Sequence, residues 1–290
     1  MKSRRDLITS SRNSSPVAKR ERRQKLLRSA GAALCVLFIG GLGAWALHQD
    51  AVRIHRVSVE GNAAIASSTL SSIVSKSLAG SYAFLVPKDT VLFYPRKEIV
   101  AQVLSAYPRL EAAEAKTEHF DTLVLSVKER APKFVWCGPS LADKEADSVP
   151  VCYFADDSGY IFDRAPSFSN PVFFEVESPL VNEFGALRGG SPIGNFILSK
   201  ESLKKIAVFK DRLSVAGIET RALRVLPGED YELRIKTGGK IIFNGKQNFD
   251  TVLENLSAAL RVSDLNKAID GASLQYIDLR FGNKVFYKFN

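Results

Sequence analysis

Few residues in this chain sit in patterns that catalysis could use. Its three histidines are His48, His55 and His119. An activated nucleophile needs a base within hydrogen-bond reach, yet no histidine neighbours a serine or cysteine in a recognisable nucleophile pattern. Asp156-Asp157 and Glu229-Asp230 read as turn carboxylates, without a partner for general acid/base work. The stretch Gly239-Lys240 to Gly245-Lys246-Gln247 imitates a phosphate loop. Its glycine spacing is one residue too long, and Gln247 stands where a hydroxyl would hold magnesium. Cys35 lies in an apolar run, whereas Cys137 and Cys152 lie 15 positions apart around a polar, turn-rich stretch. A disulfide between them is permissible only outside a reducing compartment. The alternatives are a metal site or a redox pair, although no Cys-x-x-Cys occurs and no histidine is near in sequence. No catalytic constellation, metal site, cofactor site or small-molecule substrate is expected.

The charge pattern sets the compartment. The chain has 290 residues, a net charge of +9 and a pI near 9.4. Residues 1–28 hold ten basic side chains against Asp6 and Glu21 and so carry +8 of that charge. The remainder is nearly neutral, and nucleic-acid binding is not expected of it. Residues 29–47 then form an apolar run without a charge. A helix of about 20 residues crosses the hydrocarbon layer. The basic block predicts a cytoplasmic N-terminus and a body outside the cytoplasm. Residues 1–28 are expected to be a disordered tail near anionic headgroups. Ala44-Trp45-Ala46 has the form of a signal cleavage site, and Ser3 to Leu7 imitates a twin-arginine signal. The length of the basic region and of the apolar run favours an uncleaved anchor.

An exported body must then be built from its own periodicities. A strand is expected over 52–60, with Ile54 out of phase, and a helix over 67–78 on Leu70, Ile73, Val74 and Leu78. Pro95 and Pro108 bracket a second helix, 95–106. Strands at 111–119 and 122–128 complete a β-α-α-β-β unit, 52–130. Residues 131–290 change to short strands at 134–137, 151–154, 159–163 and 171–176, with a turn at Asp157-Ser158-Gly159. A helix at 199–215, strands at 220–226, 231–236 and 240–243, and a helix at 247–261 follow. Strands 274–281 and 284–289 close the chain around Gly282-Asn283, a two-residue hairpin signal. The fold class is therefore α+β, with a single transmembrane helix and a C-terminal mixed β-sheet domain with packed helices.

Three stretches resemble the FtsQ/DivIB family of bacterial cell-division proteins. The opening strand runs from Ile54 through Val57 and Val59 into Gly61-Asn62. Leu123 to Val127 runs into Glu129-Arg130-Ala131-Pro132 and then Trp136, like the end of that family's POTRA unit. Tyr276-Ile277-Asp278-Leu279-Arg280-Phe281 is similar to its penultimate strand, and Asp157 to Phe162 suits its Asp-x-Gly-x-x-Phe hairpin. Residues 82–95 and 138–150 depart from the pattern. The resemblance implies a non-catalytic scaffold of the plasma (inner) membrane, enriched at the division septum, that helps control septal peptidoglycan synthesis. Its implied partners are division proteins of the FtsB/FtsL coiled-coil type. An exported, membrane-anchored enzyme or wall-binding protein with a POTRA-like module is the alternative. A terminal strand with a free edge suits β-augmentation. The expected partner surface is Phe281, Lys284, Val285, Phe286, Tyr287, Lys288 and Phe289. On that strand Val285, Tyr287 and Phe289 are expected to pack on the core, leaving the backbone edge with Lys284, Phe286 and Lys288 for a partner.

Overall fold

The computed structural model describes residues 16–119, 121–138, 151–170, 172–182, 184–261, 263–271 and 273–290. Most of the tail, residues 1–15, and most of the loop between the cysteines, residues 139–150, lie outside the described residues. The chain forms two compact units. One holds the chain up to Glu60 with Ile65–Gln102 and Glu114–Ser126; the other holds Gly61–Ala64, Val103–Ala113 and Val127–Asn290.

Helix α1 (Pro16–Leu47) contains a 23-residue stretch, Lys25–Leu47, long and apolar enough to cross a membrane. Helix is already present at Pro16, the first described residue, so residues 16–28 are helical where their composition predicts disorder. Residues 17–28 are mostly Ala, Lys, Arg, Glu, Gln and Leu, all strong helix formers. Propagation from the apolar run also avoids the cost of nucleation.

Strand β1 (Arg56–Glu60), helix α2 (Ser67–Leu78), helix α3 (Arg96–Ala106) and strands β4 (Leu110–Glu118) and β5 (Thr122–Glu129) follow. The sheet order is β1-β5-β4, with β1 parallel to β5 and Val57 opposite Leu123. Leu70, Val74 and Leu78 recur every four residues along α2, and all three are buried. The strand does not begin at 52. Residues 50–52 form a 3-10 turn, and the approach is tied to 89–91 instead: Ile54 N–H donates to Asp89 O and Val91 N–H to Val52 O. A short pair, β2 (Ser81–Tyr82) and β3 (Val86–Pro87), lies between the helices, where no strand is expected from the sequence.

Gly61 ends β1 at φ +80°, where a Cβ would sit 2.1 Å from the Val127 carbonyl oxygen. Nothing larger than glycine fits there. The Glu129-Arg130 pair also has a structural role. The Glu129 carboxylate accepts from the amides of Ala63 and Ala64 at 2.8 and 2.9 Å and from Arg109 at 3.1 Å. Arg130 pairs with Asp156 and lies 4.4 Å from the centre of the Tyr160 ring. Asp156, not Asp157, holds the following turn: its Oδ1 accepts from Ser158 N–H, Ser158 Oγ and Tyr160 N–H.

The largest sheet contains β6 (Phe134–Trp136), β7 (Tyr153–Ala155), β8 (Ile161–Arg164), β9 (Phe174–Glu177), β10 (Thr220–Leu226), β11 (Asp230–Ile235), β12 (Lys240–Asn244), β13 (Leu274–Phe281) and β14 (Lys284–Phe289). Its order is β14-β13-β12-β11-β10-β9-β6-β7-β8. Pairs β6–β9, β9–β10 and β12–β13 are parallel; the others are antiparallel. Parallel neighbours need long crossovers. Helix α4 (Lys200–Val215) bridges β9 to β10, while α5 (Phe249–Leu260) and α6 (Ser263–Asp270) bridge β12 to β13. Ser199 caps α4 by accepting from Ser202 N–H, and Asn248 caps α5 through Asp250 N–H. The core holds Leu203, Ile206, Phe209, Leu233, Phe243 and Ile277. The chain is thus mixed α+β, with one N-terminal candidate membrane helix and a large mixed sheet. Helix α6 has no counterpart in the sequence reading.

Candidate partner-binding edge

The terminal hairpin is built by alternation and held by one ion-pair cluster. Leu274, Ile277 and Leu279 of β13 are buried, as is Asp278. A carboxylate at that depth requires a partner. The Arg280 guanidinium donates to it through Nε and Nη2, at 3.0 and 2.6 Å, and through Nη1 to Asp230 Oδ2 at 2.7 Å. Asn244 donates its amide to Asp230 Oδ1 at 2.6 Å. The Asp278 bond, then the Asp230 bond, raise the Arg280 pKa. Burial pushes the Asp230 carboxyl up, but the Asn244 and Arg280 bonds outweigh it and hold the group below its ordinary value. The Asp-Leu-Arg motif thus ties β13 to the start of β11 and the end of β12.

The turn is fixed separately. Gly282 takes φ +65°, and its carbonyl accepts from the Asn255 side-chain amide of α5 at 2.6 Å. Val285 packs against the core, as expected. Tyr287 and Phe289 do not; they are 42% and 38% exposed. Alternation puts them on the face of Val285, but the cover there is α5, which is anchored at the turn end of the strand. Phe281 and Phe286 are also exposed, with ring centres 5.2 Å apart, and Lys284 and Lys288 flank Phe286. Tyr287 and Phe289 pair at 5.4 Å.

The direction of each amide on β14 follows from one bond. Asn290 N–H donates to Ser273 O. The extra residues of the irregular register all lie on β13, so β14 alternates without interruption. Amides of Lys284, Phe286 and Lys288 therefore face β13, and those of Val285, Tyr287 and Phe289 face outward. The other sheet edge is closed differently. At β8, Ile161 N–H donates to Asn195 O and Ile161 O accepts from Gly194 N–H. Among the described residues, no backbone group bonds to the outward amides of β14.

The remaining chemistry lies elsewhere. Cys137 and Cys152 form a disulfide. They border a cavity of about 560 Å³ lined also by Phe168, Phe173, Glu175 and Arg221. Burial, then the neighbouring Glu177, pushes the Glu175 carboxyl above its ordinary value. Among the described residues lining this cavity, no serine or cysteine is hydrogen-bonded to a base. Among the described residues, no group of three or more His, Cys, Asp and Glu could hold a metal ion. No family model matches the chain, and no curated protein matches it.

Proposed function

We propose that this protein is a single-pass, membrane-anchored scaffold of the FtsQ/DivIB type. In this reading its POTRA-like unit and C-terminal sheet stand outside the cytoplasm at the bacterial division septum. There it captures a division partner of the FtsB/FtsL coiled-coil type and helps control septal peptidoglycan synthesis. The open edge of β14 carries the reading. Three outward amides and exposed aromatics on both faces, Phe281 with Phe286 and Tyr287 with Phe289, offer a partner strand both ladder bonds and apolar contacts. Lysines on an otherwise open edge also discourage self-pairing.

The test is capture of the coexpressed coiled-coil division proteins by the full-length chain in detergent. Val285→Pro and Tyr287→Pro remove outward amides without touching the β13 ladder, so capture should fall while circular dichroism stays native. Lys284→Glu and Lys288→Glu should matter less, because exposed charges contribute little in salt. Undiminished capture by both folded proline variants would overturn pairing at this edge. A fluorescent fusion spread evenly over the envelope would count against the septal role.

A further inference from the structure

Exposed apolar side chains are also concentrated in one segment of the unit that carries α1, residues 82–93. The β2–β3 turn presents Phe84, 97% exposed, and Leu85, with Tyr82 at its base. Leu92 and Phe93 are exposed on the segment that follows. Ala83 and Phe84 both take left-handed φ, +46° and +63°. A primed hairpin turn needs positive φ at both central residues, which Asn-Gly or Asp-Gly usually supply; those positions hold Ala83 and Phe84, residues that rarely adopt it. Here the strained backbone displays a phenylalanine to solvent. Exposed large apolar side chains gathered in one segment suit an interaction surface.

The position of this turn argues for its occupant. Strand β3 packs against α1. Within the apolar stretch of α1, only Ala44 and Leu47, one turn apart at its C-terminal end, are partly covered. The chain leaving α1 is then held to 89–91 by the Ile54 and Val91 amide bonds and by Arg53, whose guanidinium grips the Asp89 carboxylate at 2.6 Å. The turn is therefore tied to the end of the stretch that is apolar enough to span a membrane. Lys88 lies 5.5 Å from the centre of the Tyr82 ring. Aromatic rings with a neighbouring lysine suit the headgroup level, where apolar bodies sink and polar tips stay wet.

We propose that the β2–β3 turn is a membrane-interface anchor: Phe84, Leu85, Leu92 and Phe93 dip into the leaflet at the Leu47 end of α1. This docks the first unit onto the bilayer instead of leaving it to swing on a linker. The inference rests on reading α1 as a membrane span.

Tryptophan fluorescence of the full chain in lipid nanodiscs tests it. Native Trp45 reports the span. A Phe84→Trp variant in a Trp45→Phe background reports the turn, with buried Trp136 common to both. Nanodiscs of brominated phosphatidylcholine should quench Trp45, and should also quench and blue-shift Trp emission from F84W, which should resist aqueous iodide. Leu85→Trp repeats the measurement at the neighbouring exposed position in case F84W misfolds. If Trp45 is quenched by the lipid while the turn tryptophans are quenched by iodide alone, the anchor is overturned and the span stands. Turn tryptophans shielded from both quenchers would mean that protein covers the turn, which also overturns it. Loss of lipid quenching at Trp45 would remove the span itself, and the anchor with it.

Discussion

Arg280 and Glu175 illustrate opposite uses of charge in one sheet. Arg280 satisfies a buried carboxylate, Asp278, and a second at Asp230. Removing its side chain leaves the buried Asp278 carboxylate without its cation, held only by the residue-280 amide at 3.1 Å. Arg280→Ala should cost about 3 kcal/mol, the low end for breaking a buried pair, because the guanidinium is 34% exposed. Urea unfolding measures this, and Arg280→Lys should recover only part, since lysine lacks the planar fork. Glu175 has the reverse sign. Its folded-state pKa lies above the ordinary 4.5, so its ionisation disfavours the fold. The favourable situation exists below pH 4.5 and is lost as pH rises through the folded value. Glu175→Gln should therefore raise the urea midpoint near neutrality and leave it unchanged below pH 4.5. An equal gain at both pH values would mean that packing, not ionisation, is responsible.

At the scale of elements, β14 shows how one strand can serve the fold on one edge and stay open on the other. Phe286→Pro removes an amide that faces β13, so it should cost more than about 1 kcal/mol, the net worth of one hydrogen bond, and lower the melting temperature. Val285→Pro and Tyr287→Pro remove outward amides and should melt closer to the wild type; the reverse ranking would mean that the strand's amides are turned the other way. The disulfide is a different kind of restraint. It closes a loop with a sequence separation of 15, which stabilises a fold by about 3 kcal/mol in the chain-entropy model. Cys137→Ser, and Cys152→Ser equally, should lose about 2–4 kcal/mol by the same reasoning, read by urea unfolding under non-reducing conditions.

For the whole molecule, the charge asymmetry and α1 make one joint prediction. With a +8 block on one side of the apolar stretch, a reporter fused after Asn290 should be active only outside the cytoplasm. The intact chain should remain with the membrane after alkaline washing. A soluble product beginning near Leu47 would show cleavage after Ala46 and would end the anchor reading. It would leave the sheet edge and its proline test untouched, because β14 belongs to the second unit.

Local chemistry was legible in the sequence wherever a period or a turn residue acts over a few positions. Helix α2 spans the predicted 67–78, and β10, β13 and β14 lie where alternation and Gly282 put them. The same local rules missed β2 and β3, which at two residues each are too short to show a period, and passed over α6, whose Leu265, Ala268 and Ile269 do share one buried face. They also started α1 too late, because composition hides what a neighbouring helix propagates. Burial on β14 was misread at Tyr287 and Phe289, since alternation tells which residues share a face but not how far a helix covers it. Asp278 and Arg280 pair within one strand, but the reach of Arg280 to Asp230 and of Arg130 to Asp156 joins residues 50 and 26 positions apart, which no local spacing announces. Which amides of β14 stay free was decided only by tertiary structure: sheet order put β14 at an edge, and a single bond from Asn290 to Ser273 set the phase of every amide along it.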